Sequence, residues 1–276
     1  PLHERALRGA LRQVLPHPGR FSPLLRLGQT LRPLMPGPLR RRVPPRSEPG
    51  IWPAPRHGRR ILCLDGCVQS SIAPNINAAA ARVLDRLGIS LVSTTAAGCC
   101  GAVSQHLSAR EEALGFMRRN IDAWWPEVER GAEAIVIGAS ACTAMLKEYV
   151  ELLAGDPDYA DKAARVSELT RDLSEVVAGE DLNALGGGTK VPRRIAFHSP
   201  CTLQHAQGIR GLVESVLDAR GHRLVPVRDS HLCCGSAGTY SILQPALSRR
   251  LRDNKLAALT AKQPELIATA NIGCLL

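Results

Sequence analysis

Between residues 60 and 276, short apolar runs alternate with stretches of helical spacing, and most apolar runs empty into a polar loop carrying cysteine or glycine. Residues 61–64, 89–93 and 134–138 read as buried strands, too brief for helices and rich in Ile, Leu and Val. Residues 77–87 set Ala80, Val83, Leu84 and Leu87 on one helical face, and Gly88 suits the C-terminal cap. Residues 109–125 predict a further helix. The order returns downstream, with strands at 194–198, 224–227 and 266–270 and a helix at 211–219. Val-Leu-Asp-Arg-Leu-Gly at 83–88 and Val-Leu-Asp-Ala-Arg-Gly at 216–221 fall at equivalent places in the two halves. Strands alternating with helices predict parallel sheets. The expected fold is therefore α/β: two duplicated open α/β units, 60–147 and 191–276, related by a pseudo-twofold axis. Residues 148–190 read as a helical connector ending in a flexible joint at Gly186-Gly187-Gly188.

Residues 1–59 differ in kind. Leu7, Leu11, Leu15, Leu24, Leu25, Leu31 and Leu34 recur at helical spacing among arginines, and Pro16, Pro18, Pro23, Pro33, Pro36 and Pro38 are expected to break the pattern into short helices. Residues 36–55 read as a Pro-rich, Arg-rich linker. The first 60 residues hold 13 arginines and no lysine, against Glu4 and Glu48 alone. The whole net charge of +10 therefore belongs to this basic leader, and the rest of the chain is close to neutral. Such a stripe meets anionic lipid or an acidic partner surface, or is simply a solvated face. Nucleic acid ranks below these, because aromatics make up only 3% of the chain and stacking platforms are scarce.

The chemistry lies in the cysteines. Cys67 is followed after 31 residues by Cys99-Cys100-Gly101, and Cys201 after 31 residues by Cys233-Cys234-Gly235. One further cysteine closes each half, Cys142 and Cys274. Eight of the nine cysteines thus form two sets of four, the number that holds one iron–sulfur cluster or one structural zinc. Any single buried cysteine is more simply a small hydrophobe, and that reading is kept for Cys63, which has no counterpart in the second half. Disulfides fit poorly: the count is odd, adjacent cysteines must each reach elsewhere, and 276 residues bury a core without staples. A reducing, cytoplasmic setting follows. Every cysteine of the two sets falls on a loop after a strand, and in open α/β sheets such loops gather at one edge. No residue is assigned a catalytic role, and Gly186-Gly187-Gly188 lacks the strand–turn–helix context of a dinucleotide fingerprint. The longest near-continuous apolar stretch, 135–146, is too short to span a bilayer.

The doubled signature, with Ala-Gly-Cys-Cys-Gly-Ala-Val at 97–103, Asn-Ile-Asp-Ala-Trp-Trp-Pro at 120–126, Pro-Cys-Thr-Leu-Gln-His-Ala-Gln at 200–207, Asp-Ser-His-Leu-Cys-Cys-Gly at 229–235 and Thr-Ala-Asn-Ile-Gly-Cys at 269–274, resembles the duplicated cysteine-rich CCG family. That family includes the cysteine-rich component of heterodisulfide reductase, lactate-utilisation proteins, anaerobic glycerol-3-phosphate dehydrogenase and, most similar in these strings, the glycolate oxidase iron–sulfur subunit. The resemblance implies an electron-transfer subunit with Cys67, Cys99, Cys100, Cys142, Cys201, Cys233, Cys234 and Cys274 as cluster ligands. His198, His205 and His231 lie near second-half cysteines as candidates for tuning or proton uptake, or as structural hydrogen-bonding groups. It also implies FAD on partner subunits, a quinone-side acceptor, peripheral placement at the inner face of the cell membrane, and no independent substrate oxidation by this chain. Family members with a non-cubane cluster close each half with Cys-x-x-Cys. Here Ala139 and Asn271 take the first of those positions, which favours a four-cysteine [4Fe-4S] cubane in one or both halves, with zinc open for one. The alternatives are a zinc-stapled scaffold that docks flavin subunits and a heterodisulfide-type thiol–disulfide reductase. The ferredoxin-like cysteine runs that normally precede this part of the subunit are absent. The start on Pro1 and the stop two residues after Cys274 read as the limits of a fragment.

Overall fold

The computed structural model describes residues 2–276. Two parallel sheets carry the cysteine loops. The first has the order β2-β1-β3-β4, from β1 (Arg59–Cys63), β2 (Ile89–Ser93), β3 (Ala134–Ile137) and β4 (Thr170–Asp172). The second has the order β6-β5-β7, from β5 (Arg194–His198), β6 (Arg223–Leu224) and β7 (Leu266–Thr269). The central strands pair alike. Ile61 pairs with Leu91 and Ala134, while Ile195 pairs with Leu224 and Leu266. Both Ile61 and Ile195 stand six residues before the first cysteine of their set, and Ala134 and Leu266 each stand eight before the last, so the duplication extends to register on that side. On the other, Leu91 stands eight residues before Cys99 and Leu224 nine before Cys233, a shift of one.

Alternation along β1 sorts its side chains to two faces. Leu62 and the following Leu64 join Met117, Ile121, Trp124, Ile135 and Tyr149 under the helix Arg110–Glu129. Ile61 and Cys63 face the helix Asn75–Arg86 through Ala80, Ala81 and Leu84. Cys63 is 2% exposed and belongs to this core, where burial raises its thiol pKa. The second unit buries fewer residues, chiefly Ile195, Ala196, Phe197, Leu203 and Leu259.

Several local expectations are revised. The helix expected at 109–125 runs to Glu129 through Pro126, and the leader helix Pro18–Leu31 runs through Pro23. Each proline removes one intrahelical N–H bond and crowds the carbonyl four residues back, a cost the packing of these helices overrides. The connector contributes β4, whose Thr-Arg-Asp sequence carries no strand pattern and which is recruited by pairing with β3. β6 is two residues long rather than four. The triglycine joint is tied down: Arg220 donates to the carbonyls of Gly186 at 2.9 Å and Gly187 at 2.8 Å.

The leader lies on the first unit. Arg12 pairs with Glu112 at 2.7 Å, Ser22 bonds Ser71 at 2.7 Å, and His17 packs against Phe116 with ring centroids 5.5 Å apart. Farther on, Asp85 receives Arg56 at 2.6 Å and His57 at 2.9 Å. Among the described residues, no helix is long and apolar enough to cross a membrane.

Candidate metal centres

Each first cysteine leaves the sheet just after the central strand. In the first unit Cys67 follows β1, Cys99-Cys100 follow β2, and Cys142 sits in the first turn of the helix Ser140–Lys147 after β3. In the second, Cys201 follows β5 and opens the π-helix Thr202–Ala206, Cys233-Cys234 follow β6, and Cys274 follows β7. The parallel order brings all three loops of a unit to the carboxyl edge of its sheet, so each set of four converges.

The glycine after each cysteine pair makes this loop buildable. Gly101 and Gly235 have φ of +92° and +83°, a region costly for side-chain-bearing residues. A Cβ on Gly101 would stand 3.1 Å from the carbonyl oxygen of Ala113, and one on Gly235 would collide with the carbonyl of Ser248. The glycine amide then turns back onto sulfur: Gly101 N–H donates to Cys99 Sγ at 3.4 Å, and Gly235 N–H to Cys233 Sγ at 3.2 Å. An amide aimed at sulfur favours the thiolate.

The thiols bear on one another. Contact with Cys100 and Cys67, the Gly101 amide and the charge of Arg119 hold the Cys99 thiol well below its ordinary range, while Cys99 pushes Cys67 up. Cys142 pushes Cys100 up. In the second set Cys234 stands 3.3 Å from Cys274 and is held down to about 4 by Cys274, by His198 and by the Ser236 amide. Cys274 is correspondingly pushed up, and burial raises Cys201 to about 11. Each set thus pairs one thiol held down, Cys99 or Cys234, with neighbours pushed up, Cys67 and Cys100 or Cys201 and Cys274, whose protons a bound cation would displace.

The two settings differ. Cys67, Cys99 and Cys100 are 7%, 0% and 2% exposed, and Phe116 packs on Cys67 and Cys99 beneath the leader. Buried Asn120 accepts from the Gly98 amide at 2.9 Å and donates to the Cys99 carbonyl at 2.8 Å; Tyr149 donates to the Cys100 carbonyl at 2.8 Å. The second-set cysteines are all partly exposed. There the corresponding helix, Pro245–Thr260, supplies Lys255, 3% exposed, which donates to the carbonyls of Ser230 at 2.8 Å and Asp229 at 3.2 Å and faces all four thiols. Asn271 donates to Cys274 Sγ at 3.5 Å. His198 is 3% exposed beside Cys234, whereas His205 and His231 are exposed and meet each other, His205 Nε2 lying 3.2 Å from the His231 carbonyl. Asn120, Tyr149, Arg119 and Lys255 escape a reading of the sequence, because their roles depend on which loop a helix face meets. The one visible signal is Lys255 itself, one of five lysines in an arginine-rich chain.

The donor set fits a thiolate-bound metal or cluster. It offers four soft sulfurs per half that become anionic on metal binding, backbone amides aimed at two of them, and no disulfide, all nine cysteines being free. The cysteine-rich domain model matches residues 61–147 and again 195–276. The chain is 53% identical over 275 residues to the glycolate oxidase iron–sulfur subunit of Escherichia coli (strain K12), covering 99% of this chain and 67% of that protein. This chain belongs to the glycolate oxidase iron–sulfur subunit family. Within it, the probable glycolate oxidase iron–sulfur subunit of Bacillus subtilis (strain 168) is 29% identical over 84% of this chain and 51% of its own length. Lactate utilization protein A of Geobacillus thermodenitrificans (strain NG80-2) is 28% identical over 76% of this chain and 86% of its own length. The chain thus spans between about half and two thirds of the first two relatives.

Proposed function

We propose that this chain is the iron–sulfur electron-transfer part of a complex that oxidises a 2-hydroxy acid, glycolate or a lactate-type acid. The observation that carries it is the twofold convergence of four thiols at the carboxyl edge of a parallel sheet, in a chain whose relatives are named for glycolate oxidation and lactate utilisation. Cys67, Cys99, Cys100 and Cys142 would hold one centre, and Cys201, Cys233, Cys234 and Cys274 the other. An iron–sulfur cluster, when bound, supplies one-electron redox chemistry. The residues around the sulfurs do the rest. The Gly101 and Gly235 amides direct partial positive charge at sulfur, Asn120 and Tyr149 fix the first cysteine loop, and Phe116 with the leader keeps water from Cys67 and Cys99.

Ala139 is buried and carries no donor, and Asn271 occupies its position as a hydrogen-bond donor to Cys274, so four thiolates per half suit a cubane better than a five-cysteine cluster. Substrate oxidation belongs to FAD-bearing partner subunits, with a quinone-side acceptor beyond. The basic leader offers exposed Arg40, Arg41 and Arg42 to a partner or to the inner membrane face, and nine free thiols suit the cytoplasmic side. In reconstitution, the purified chain alone gives no glycolate-dependent dye reduction, and adding flavin subunits restores it. Turnover by the chain alone would overturn this division of labour. A second reading, a single zinc in the second half, draws on one observation: His198, Cys234 and Cys274 offer donor atoms within 4.8 Å of one another, a spacing suited to one ion.

A further inference from the structure

We propose that the His198 imidazole is a direct ligand of the metal centre in the second half, joining Cys234 and Cys274 and taking the place of one of the other two thiols, Cys201 or Cys233, so that the centre keeps four donors and gains a nitrogen which the first half lacks. This rests on the reading that both cysteine sets hold metal, and it makes the two centres chemically different.

Three observations converge. His198 is 3% exposed, and neither ring nitrogen has a partner other than the neighbouring Cys234 thiol. A buried imidazole whose nitrogens find no oxygen or nitrogen partner is costly and calls for one. One ring nitrogen lies within 4.8 Å of both Cys234 Sγ and Cys274 Sγ, themselves 3.3 Å apart. Donors sharing one tetrahedral ion at about 2.0–2.3 Å stand roughly 3.3–3.8 Å from each other, so the two sulfurs already have that spacing and the imidazole nitrogen, within 4.8 Å of both, need only close onto them.

The third observation comes from the duplication. His198 ends β5, three residues before Cys201; the residue three before Cys67 is Leu64, which continues β1 and is 0% exposed in the core. The same position is filled by a hydrocarbon in one half and by an imidazole in the other, so the fold itself does not require a histidine there. Imidazole is a good ligand for iron and zinc alike, bound through a neutral nitrogen. His205 and His231 offer nothing comparable, because both are exposed and engage each other.

The test uses the full chain, purified anaerobically with 15N-labelled histidine, beside His198→Leu and His198→Cys. Metal and sulfide are counted per chain, and the dithionite-reduced samples are examined by pulsed EPR. Direct ligation predicts a strongly coupled histidine nitrogen in the wild type that disappears in His198→Cys. His198→Leu is expected to lose the metal of one set, roughly half the total, while His198→Cys, which substitutes another ligand, keeps it. A full complement in His198→Leu, equal losses in both variants, or, in a second set that carries iron and sulfide, no strongly coupled nitrogen would overturn the proposal and leave His198 as a hydrogen-bond donor to Cys234. Where that set carries zinc, which is EPR-silent, the metal counts of the two variants decide. If His198→Leu fails to fold, the nitrogen coupling and His198→Cys decide. Metal that survives in a Cys234→Ser variant but not in a Cys99→Ser variant would instead refute the reading that both sets are loaded.

Discussion

Gly235 shows how narrowly one residue constrains a centre. Its φ of +83° and the Ser248 carbonyl above it leave no room for a methyl group, and its amide is the donor to Cys233. Gly235→Ala is therefore expected to cost about 1–3 kcal/mol in backbone strain alone. It should lower the metal content of the second set while sparing the first, as metal analysis of the purified variant would show. At this scale the sequence is eloquent about the cysteines and silent about their neighbours. Eight cysteines stand out because their spacing repeats. Asn120, Tyr149 and Lys255 do not, since a buried polar residue on a helix has no pattern that tells which carbonyl it will meet. Asn271 is visible as a missing cysteine, but its bond to Cys274 is not.

Among the elements, the leader carries the clearest consequence. Its basic, proline-broken sequence predicts short helices and leaves open what they touch. The answer lies in single contacts, Arg12 with Glu112 and Ser22 with Ser71, that no periodicity announces. Burial works to raise the Glu112 carboxyl, but the bonds from Arg12 and Ser104 outweigh it and hold the group below its ordinary value. A depressed carboxyl stabilises docking fully above about pH 4.3, the ordinary glutamate value, and that contribution is lost as pH falls through the lower folded value. With both side chains partly exposed, the pair is worth about 1 kcal/mol. Glu112→Gln should thus lower leader amide protection roughly fivefold at pH 7. The wild type should show a similar loss only in acid. Protection unchanged in the variant would mean that apolar contacts such as His17 on Phe116 hold the leader. β4 and β6 mark the limits of element reading: both are brief and owe their strand geometry to a neighbour rather than to their own residues.

At the scale of the molecule, the halves meet at their cysteine loops. Ser140, fully buried at the start of the helix bearing Cys142, donates its amide to the Ala270 carbonyl at 3.0 Å and shares a hydroxyl bond with Thr202 at 2.8 Å. Its carbonyl accepts from Gln207 at 3.1 Å. Thr202 lies next to Cys201 and Ala270 four residues before Cys274, so this seam joins the loop bearing Cys142 to the loops of the second set. Ser140→Ala strands the Thr202 hydroxyl and is expected to destabilise the fold by about 1–3 kcal/mol in denaturant unfolding. Adding Thr202→Val should return part of that loss, whereas strict additivity would show the bond contributes nothing. The duplicated α/β architecture is legible from strand, helix and cysteine order alone. The interlock is not, because it depends on two distant loops sharing one serine.

The most direct test of the account is the count of iron, acid-labile sulfide and zinc in the anaerobically purified chain, read with an EPR spectrum after dithionite. Electron transfer through two cysteine sets predicts about eight iron with matching sulfide, or about four if one set holds zinc, and a reduced-cluster signal in either case. Zinc in both sets, with no sulfide and no signal, would contradict it and make the two centres structural.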